Sequence, residues 1–284
     1  MGTLISFLDK RIRDRFDSVK GGSLMALIAI AIPVVLIYVL QRISSISVIL
    51  EVIVTAVILK MCFASRSMSD HIIPVLKAMK ERDMEEARKR LSLTVRRDTG
   101  TLDQALIYSA CIETISEGYV DGFLSTIFYY GIFGLLGAVA ARVINTLDSM
   151  VGYRNEKYLK FGKFSAVADT IMNFIPARIS TIFFCLSSNP TGIPKVVRSV
   201  RSQSGNTSSR NAGWPMSAMA IILGVRIEKR GHYVLNSTGR EPGLDDVMRS
   251  LRIFQISVVL ASVMGLMLSI IITQFILSYA GIFP

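Results

Sequence analysis

The chain has 284 residues, 51% of them hydrophobic, and 32 Lys and Arg against 21 Asp and Glu give a formal charge of +11. A basic balance alone would admit nucleic acid or acidic lipid as partner. Long apolar runs and a positive mean hydropathy exclude an ordinary soluble domain and decide for the membrane, with no nucleic acid expected. The three cysteines, Cys62, Cys111 and Cys185, are scattered, and the two histidines, His71 and His232, are isolated, which argues against a disulfide framework or a zinc site.

Residues 1–21 are charged and amphipathic, unlike a cleavable signal peptide, and read as a helix lying at the membrane interface. Apolar runs at Gly22–Leu40, Ile46–Ala64, Phe123–Ala141 and Ile253–Tyr279 are candidate spans, with a weaker stretch at Ile171–Ser187; about 20 residues cross the roughly 30 Å hydrocarbon core. Pro33 kinks the first span, and Glu51 lies near enough to the end of the second to reach water. Residues 69–91 are expected to form one amphipathic helix capped by Ser69, with Pro74 early in it. In LTVRRDTGTLDQ, Thr101 and Gln104 have capping-box spacing, which predicts a helix from Leu102 toward Glu117.

Gly131, Gly134 and Gly137 recur every three residues in the third apolar run, a pattern for close helix packing. Residues 199–211 read as a Ser/Gly/Asn loop, and 211–236 as a small-residue helix followed by a strand-like piece. Lys and Arg crowd Arg66–Arg97, Arg142–Arg178 and Lys195–Arg252. The positive-inside rule puts all three in the cytoplasm, yet a full span at 123–141 would leave basic segments on opposite sides unless 171–187 also crosses. A broken or re-entrant element resolves the conflict. The expectation is an all-α, polytopic helical membrane protein of one membrane domain, with an interfacial helix at 1–21, two spans in 22–64, a motif-bearing region at 65–252 and a last span at 253–279.

Two groups of polar residues have chemical content. Glu113, Glu117 and Asp121, spaced by four, share a helix face; adjacent members can touch one divalent ion, and the outer two are about 12 Å apart. Asn145 and Asp148 form a second oxygen-rich pair in NTLDSMVGYRNEKY, which follows the third apolar run. Carboxylates near Arg142, Arg154 and Arg178 suit a magnesium–phosphate site, and equally a solvated helix face with basic flanks. Trp214 is either a stacking platform for a planar ligand or an interfacial anchor. No P-loop, GxGxxG turn, HExxH or GxSxG motif is present.

In chain order, RDT (Arg97–Thr99), Glu113-Thr114 with Glu117, Asp121-Gly122, NTLDSMVGYRNEKY, NFIPAR (Asn173–Arg178), NAGWPMSAMA (Asn211–Ala220), Leu223–Val225 and LDD followed by Arg249 and Arg252 resemble the CbiB/CobD family of cobalamin-biosynthesis membrane proteins. The resemblance runs from about residue 65 to the last span. Family members usually begin with a further apolar segment, so this chain reads as a divergent member without it. Departures from the family pattern fall at Arg96, Gly118, Val167, Thr170, Thr207 and Arg210.

The resemblance implies ATP-dependent joining of adenosylcobyric acid to aminopropanol phosphate, giving adenosylcobinamide phosphate, with ATP and Mg2+ required and the corrinoid as substrate. It implies Glu113, Glu117, Asp121 and Asp148 as catalytic residues, Glu113, Glu117 and Asp148 also as magnesium ligands, and Asn145, Tyr153, Arg154, Arg178, Asn211 and Trp214 as substrate-binding. The expected partners are membrane lipid and other cobalamin-assembly membrane proteins, at the cell membrane with the motif loops cytoplasmic. The alternative is a non-catalytic paralogue that binds corrinoid or acts as a membrane partner or sensor, its cavity filled by Arg96 or Arg210 or lacking a metal-compatible carboxylate cluster.

Overall fold

A computed structural model of the protein describes residues 1–63, 65–153, 155–188 and 190–279. The described residues are overwhelmingly helical, with one two-stranded antiparallel sheet. Three helical segments are long and apolar enough to cross a membrane, Val19–Ser44, Gln104–Val151 and Leu244–Ile276, as an all-α polytopic protein requires. The chain divides into two compact units, one of residues 1–63, 125–173 and 263–284, the other of 64–124 and 174–262.

The first unit begins with α1 (Gly2–Arg13), α2 (Val19–Ser44) and α3 (Val48–Cys62). Ser18 starts α2 by accepting a hydrogen bond from the Gly21 amide at 3.1 Å. The second apolar run yields only the 15 residues of α3, about 22 Å of helix. The apolar face of α1 is buried in protein: Ile5 is 1% exposed and packs with Met25, Ala29, Val143, Leu147 and Phe161.

The glycine-rich helix α7 (Ser125–Val151) is broken at Gly134, whose φ of 64° and ψ of −155° lie in a region open essentially to glycine alone. In a straight helix residues 129 and 137 stand about 12 Å apart. Here a Cβ on Gly137 would come within 2.4 Å of the Tyr129 carbonyl oxygen, so the chain has folded back on itself. Residues 123–133 cover about 16 Å, roughly half of the hydrocarbon thickness. The third apolar run is therefore broken at Gly134 and is not one straight helix. Gly131 serves a different end: its missing side chain admits Leu268 and the Gly265 carbonyl of the last helix. The first limb is also tied to α8 (Lys163–Met172), through Tyr129 Oη donating to the Met172 carbonyl at 3.0 Å. Close by, Ser125 Oγ donates to Asn173 Oδ1, and Asn173 Nδ2 donates to Asp169 Oδ1.

In the second unit the expected single helix over 69–91 is two, α4 (Ser65–Lys80) and α5 (Met84–Ser92). Arg82 takes a φ of 60°, and Asp83 then caps α5 by accepting from the Glu86 amide at 2.9 Å. Pro74 consequently lies inside α4 rather than in its first turn. Helix α6 (Gln104–Tyr119) starts two residues later than the capping-box reading, because Asp103 and not Thr101 accepts from an end amide, that of Leu106 at 2.9 Å. A π-helical turn, Val120–Leu124, follows.

The unit continues through α9 (Phe174–Leu186), α10 (Ile193–Gln203) and α11 (Gly213–Leu223), then strands β1 (Ile227–Lys229) and β2 (Tyr233–Leu235), and enters α12 (Leu244–Tyr279). Within the stretch expected as a loop, α10 runs on to Gln203 and a 3-10 turn spans Ser204–Asn206. Tyr119 anchors the core, packed at 5.0 Å from Phe184 and 5.9 Å from Phe254, with its hydroxyl donating to the Ser257 carbonyl. Cys62, Cys111 and Cys185 are all free and buried.

Candidate functional site

Helix α6 presents Glu113 as a buried carboxylate, with Glu117 one turn on and partly exposed. Arg97 reaches Glu113 Oε2 at 3.2 Å, and Lys229 Nζ stands 3.9 Å from Oε1. Both members of the Arg97–Glu113 pair are nearly buried, with side-chain exposures of 13% and 10%. The RDT turn explains how Arg97 is delivered. Thr99 Oγ1 donates to the Arg88 carbonyl, Arg88 Nε donates to the Leu102 carbonyl, and Asp98 Oδ1 accepts from the Gly100 amide. Asp and Thr thus shape the turn while Arg points into the site.

Lys229 arrives from the opposite direction, on the two-stranded sheet. Ser109 Oγ accepts from the Glu228 amide at 2.8 Å and donates to its carbonyl at 3.1 Å, docking β1 on α6. Lys229 pairs with Tyr233 in the antiparallel register, so the two side chains share one face. The Tyr233 hydroxyl donates to Met216 Sδ at 3.6 Å. Burial, and then the negative charge of Glu113, push the Tyr233 phenol well above the usual tyrosine range, so it stays protonated. The constellation is one buried carboxylate held by a guanidinium and an ammonium, with a phenol close by. Arg97 Nε is buried without a hydrogen-bond partner among the described residues.

A second feature of this unit surrounds Arg178. Its guanidinium carbon lies 3.5 Å from the centroid of Phe174 and 4.9 Å from that of Trp214. Nη1 donates to the Phe174 carbonyl at 2.6 Å and to Asn211 Oδ1 at 3.2 Å. Trp214 therefore stacks on a cation, a use neither of its two sequence readings anticipated. Ser209 Oγ accepts from the Ala212 and Asn211 amides at 3.2 and 3.4 Å, holding the turn that carries Asn211. Because a stacked planar cation cannot be replaced by a compact one, Arg178→Lys is expected to loosen the stack on Trp214, read as a shift in the emission of this single tryptophan. An unchanged spectrum would show that the stack does not depend on the guanidinium.

The first unit holds the remaining residues. Asn145 and Asp148 lie on the last turns of α7, where Arg142 Nη1 donates to Asn145 Oδ1 at 3.4 Å. The Gly152 amide bonds the Asp148 carbonyl at 2.8 Å, and Tyr153 Oη donates to the Ser149 carbonyl at 2.6 Å. Arg154 lies outside the described residues. Asp121 is in the π-helical turn of the second unit, a local geometry frequent at functional sites.

Glu113 is already matched by two cations, and the described residues contain no group of three His, Cys, Asp or Glu able to seat a metal. The donor set around Glu113 thus fits an anionic ligand better than a resident cation. Magnesium carried on nucleotide phosphates needs only one or two protein carboxylates. Sequence reasoning missed Lys229, Tyr233 and Phe174. A strand pair turning at Gly231, with its φ of 73°, was the available signal for the first two. At the departures, the Met68 methyl fills the space a side chain at Gly118 would occupy, and Thr207 Oγ1 bonds the carbonyls of Ser204 and Ser209.

No solved structure matches the chain. A family model described as CobD/Cbib protein matches residues 1–263. The chain is 40% identical over 256 residues to the probable cobalamin biosynthesis protein CobD of Thermoplasma volcanium, covering 90% of this chain and 84% of that one. It is 41% identical over 255 residues to that of Thermoplasma acidophilum, at 88% and 84% coverage. The cobalamin biosynthesis protein CobD of Dehalococcoides mccartyi is 37% identical over 246 residues, at 83% and 78%. Read with the motifs that build the Glu113 and Arg178 clusters, matches of this extent mean that the chain belongs to the CobD/CbiB family.

Proposed function

We propose that the protein acts in cobalamin biosynthesis as a membrane-bound, ATP-dependent amide ligase, joining adenosylcobyric acid to aminopropanol phosphate. The observation that carries this reading is the buried Glu113 held by Arg97 and Lys229. All three partners of the reaction are anionic: a corrin-ring carboxylate, ATP and a phosphorylated amine. Phosphoryl transfer asks of a protein mainly positioning and charge neutralisation, which arginine and lysine fixed by a buried carboxylate supply.

In the proposed sequence the corrinoid carboxylate attacks the γ-phosphorus of ATP and releases ADP. The amine then attacks the acyl carbon, its proton passes to a carboxylate, and phosphate leaves as the amide forms. Arg97 and Arg178 bind phosphate or carboxylate, Asn211 orients the guanidinium of Arg178, and Trp214 forms part of the surface a corrin edge meets. Glu117, Asp121 and Asp148 are the candidate carboxylates for the amine proton and for magnesium, which enters with ATP and neutralises phosphate charge. Asn145, Tyr153 and Arg154 bind substrate. The motif-bearing loops face the cytoplasm, where ATP is, in a cell membrane the protein shares with other enzymes of corrinoid assembly.

The binding-paralogue reading called for a cavity filled by Arg96 or Arg210, whose side chains are exposed, or for one without a metal-compatible carboxylate cluster, and the described residues contain no group of three His, Cys, Asp or Glu able to seat a metal. To test the enzyme reading, purified protein in detergent is mixed with adenosylcobyric acid, aminopropanol phosphate, ATP and magnesium, and the corrinoid is followed by mass spectrometry. The amide product is expected, and Asp148→Ala is expected to lower its rate at least a hundredfold, in line with loss of a positioned proton acceptor. Corrinoid binding without product, beside an active family member, would make the protein a binder only.

A further inference from the structure

A carboxylate buried in an amphipathic helix calls for a reason. Asp9 of α1 is only 9% exposed and lies among Ile5, Leu8 and Ile12 on the face turned into the protein. Its partners are Arg13, whose Nε donates to Oδ1 at 3.1 Å, and Tyr158, whose hydroxyl donates to Oδ2 at 2.9 Å. Tyr158 closes the motif that begins at Asn145, far along the chain from α1. Its ring is covered by Arg13 at 5.8 Å and Lys157 at 4.7 Å, and it leans on Tyr153 at 6.3 Å.

The segment between α7 and α8 is held at two more points. Asn155 turns it, accepting from the Tyr158 amide through Oδ1 at 3.0 Å and from the Leu159 amide through its carbonyl at 2.8 Å. Phe161 is fully buried, and its carbonyl lies where a Cβ on Gly22 of α2 would stand, at 1.7 Å. The Asp9–Tyr158 hydrogen bond uses a charge, and a charge-assisted bond out of water holds geometry more firmly than packing alone.

We propose that Asp9 is a positioning residue: through Tyr158 it latches the 155–162 segment to α1 and so holds Tyr153 in place for substrate. The substrate role of Tyr153 rests on the function proposed above; the latch itself does not. Helix α1 is then a brace for the site loop on its inner face, whatever its outer face meets.

The experiment pairs two readouts on full-length protein in detergent. Asp9→Ala and Tyr158→Phe are compared with Asp9→Asn, which keeps an oxygen acceptor, and with Ile5→Ala, which weakens the same helix without touching the latch. Tryptic cleavage after Lys157 and Lys160 is expected to accelerate about tenfold in Asp9→Ala and Tyr158→Phe, less in Asp9→Asn, and to stay near the wild-type rate in Ile5→Ala. In the ligase assay kcat/KM is expected to fall about tenfold in the first two, since a displacement near 1 Å can cost more than that. Wild-type cleavage rates in both latch variants, or an equal acceleration in Ile5→Ala at matched melting temperature, would overturn the latch. If the wild-type protein makes no product, the proposed function falls and the cleavage pattern alone decides the latch.

Discussion

Replacing Glu113 with alanine should cost the protein both its activity and several kcal/mol of stability. The carboxylate pairs with both Arg97 and Lys229. Removing it leaves a guanidinium with 13% side-chain exposure unpaired, and stripping one partner from a buried pair typically costs about 3–5 kcal/mol. Glu113→Gln should separate the two losses. The amide keeps an oxygen for Arg97 but no charge, so the expected outcome is a smaller drop in apparent melting temperature with product formation still reduced at least a hundredfold. Melting temperature and product mass on the same preparations check both. A Glu113→Gln enzyme with wild-type turnover would show that the charge is structural.

Gly134→Val is expected to be the most disruptive substitution in the membrane part of the first unit. The φ of 64° with ψ near −155° is strained for any L side chain and worst for a β-branched one, at a cost of about 1–3 kcal/mol or more. A Cβ there would meet nothing within 4 Å, so the penalty comes from the backbone and not from a clash. Gly134→Ala should therefore also destabilise, though less. If the helix answers by straightening, the limb at 125–133 loses its approach to Leu268 through Gly131. Apparent melting temperature and monodispersity in detergent read the effect; a Gly134→Val protein that melts with the wild type would refute the folded-back geometry.

The first and last spans, the existence of α6 and the motif residues were legible because each depends on near neighbours in sequence. The rest was not, for reasons that can be named. The glycine triplet signalled close packing, but a three-residue repeat suits a straight helix seam and a reversal equally; only the φ of Gly134 tells them apart. The break between α4 and α5 turns on Arg82 entering the left-handed region, where nothing local distinguishes it from a continuing helix except the capping power of Asp83. Lys229 and Tyr233 sit on strands of three residues, too short for an alternating pattern, and reach Glu113 through Ser109, 119 positions from the strand it holds. Asp9 looked like part of a polar face because its partner is 149 residues away. The carboxylates and arginines were found by type; which cation meets which anion is set by these long-range contacts.

The burial of all three cysteines has a practical chemical meaning. A thiol reacts as its thiolate, which needs water or a nearby positive charge to form, and Cys62, Cys111 and Cys185 are each no more than 1% exposed. The native chain is therefore a quiet background for maleimide chemistry, and a single cysteine placed at Phe133, 65% exposed beside the bend, would carry a probe alone. The depth of that probe in a bilayer can be read without first rebuilding the protein as a cysteine-free variant.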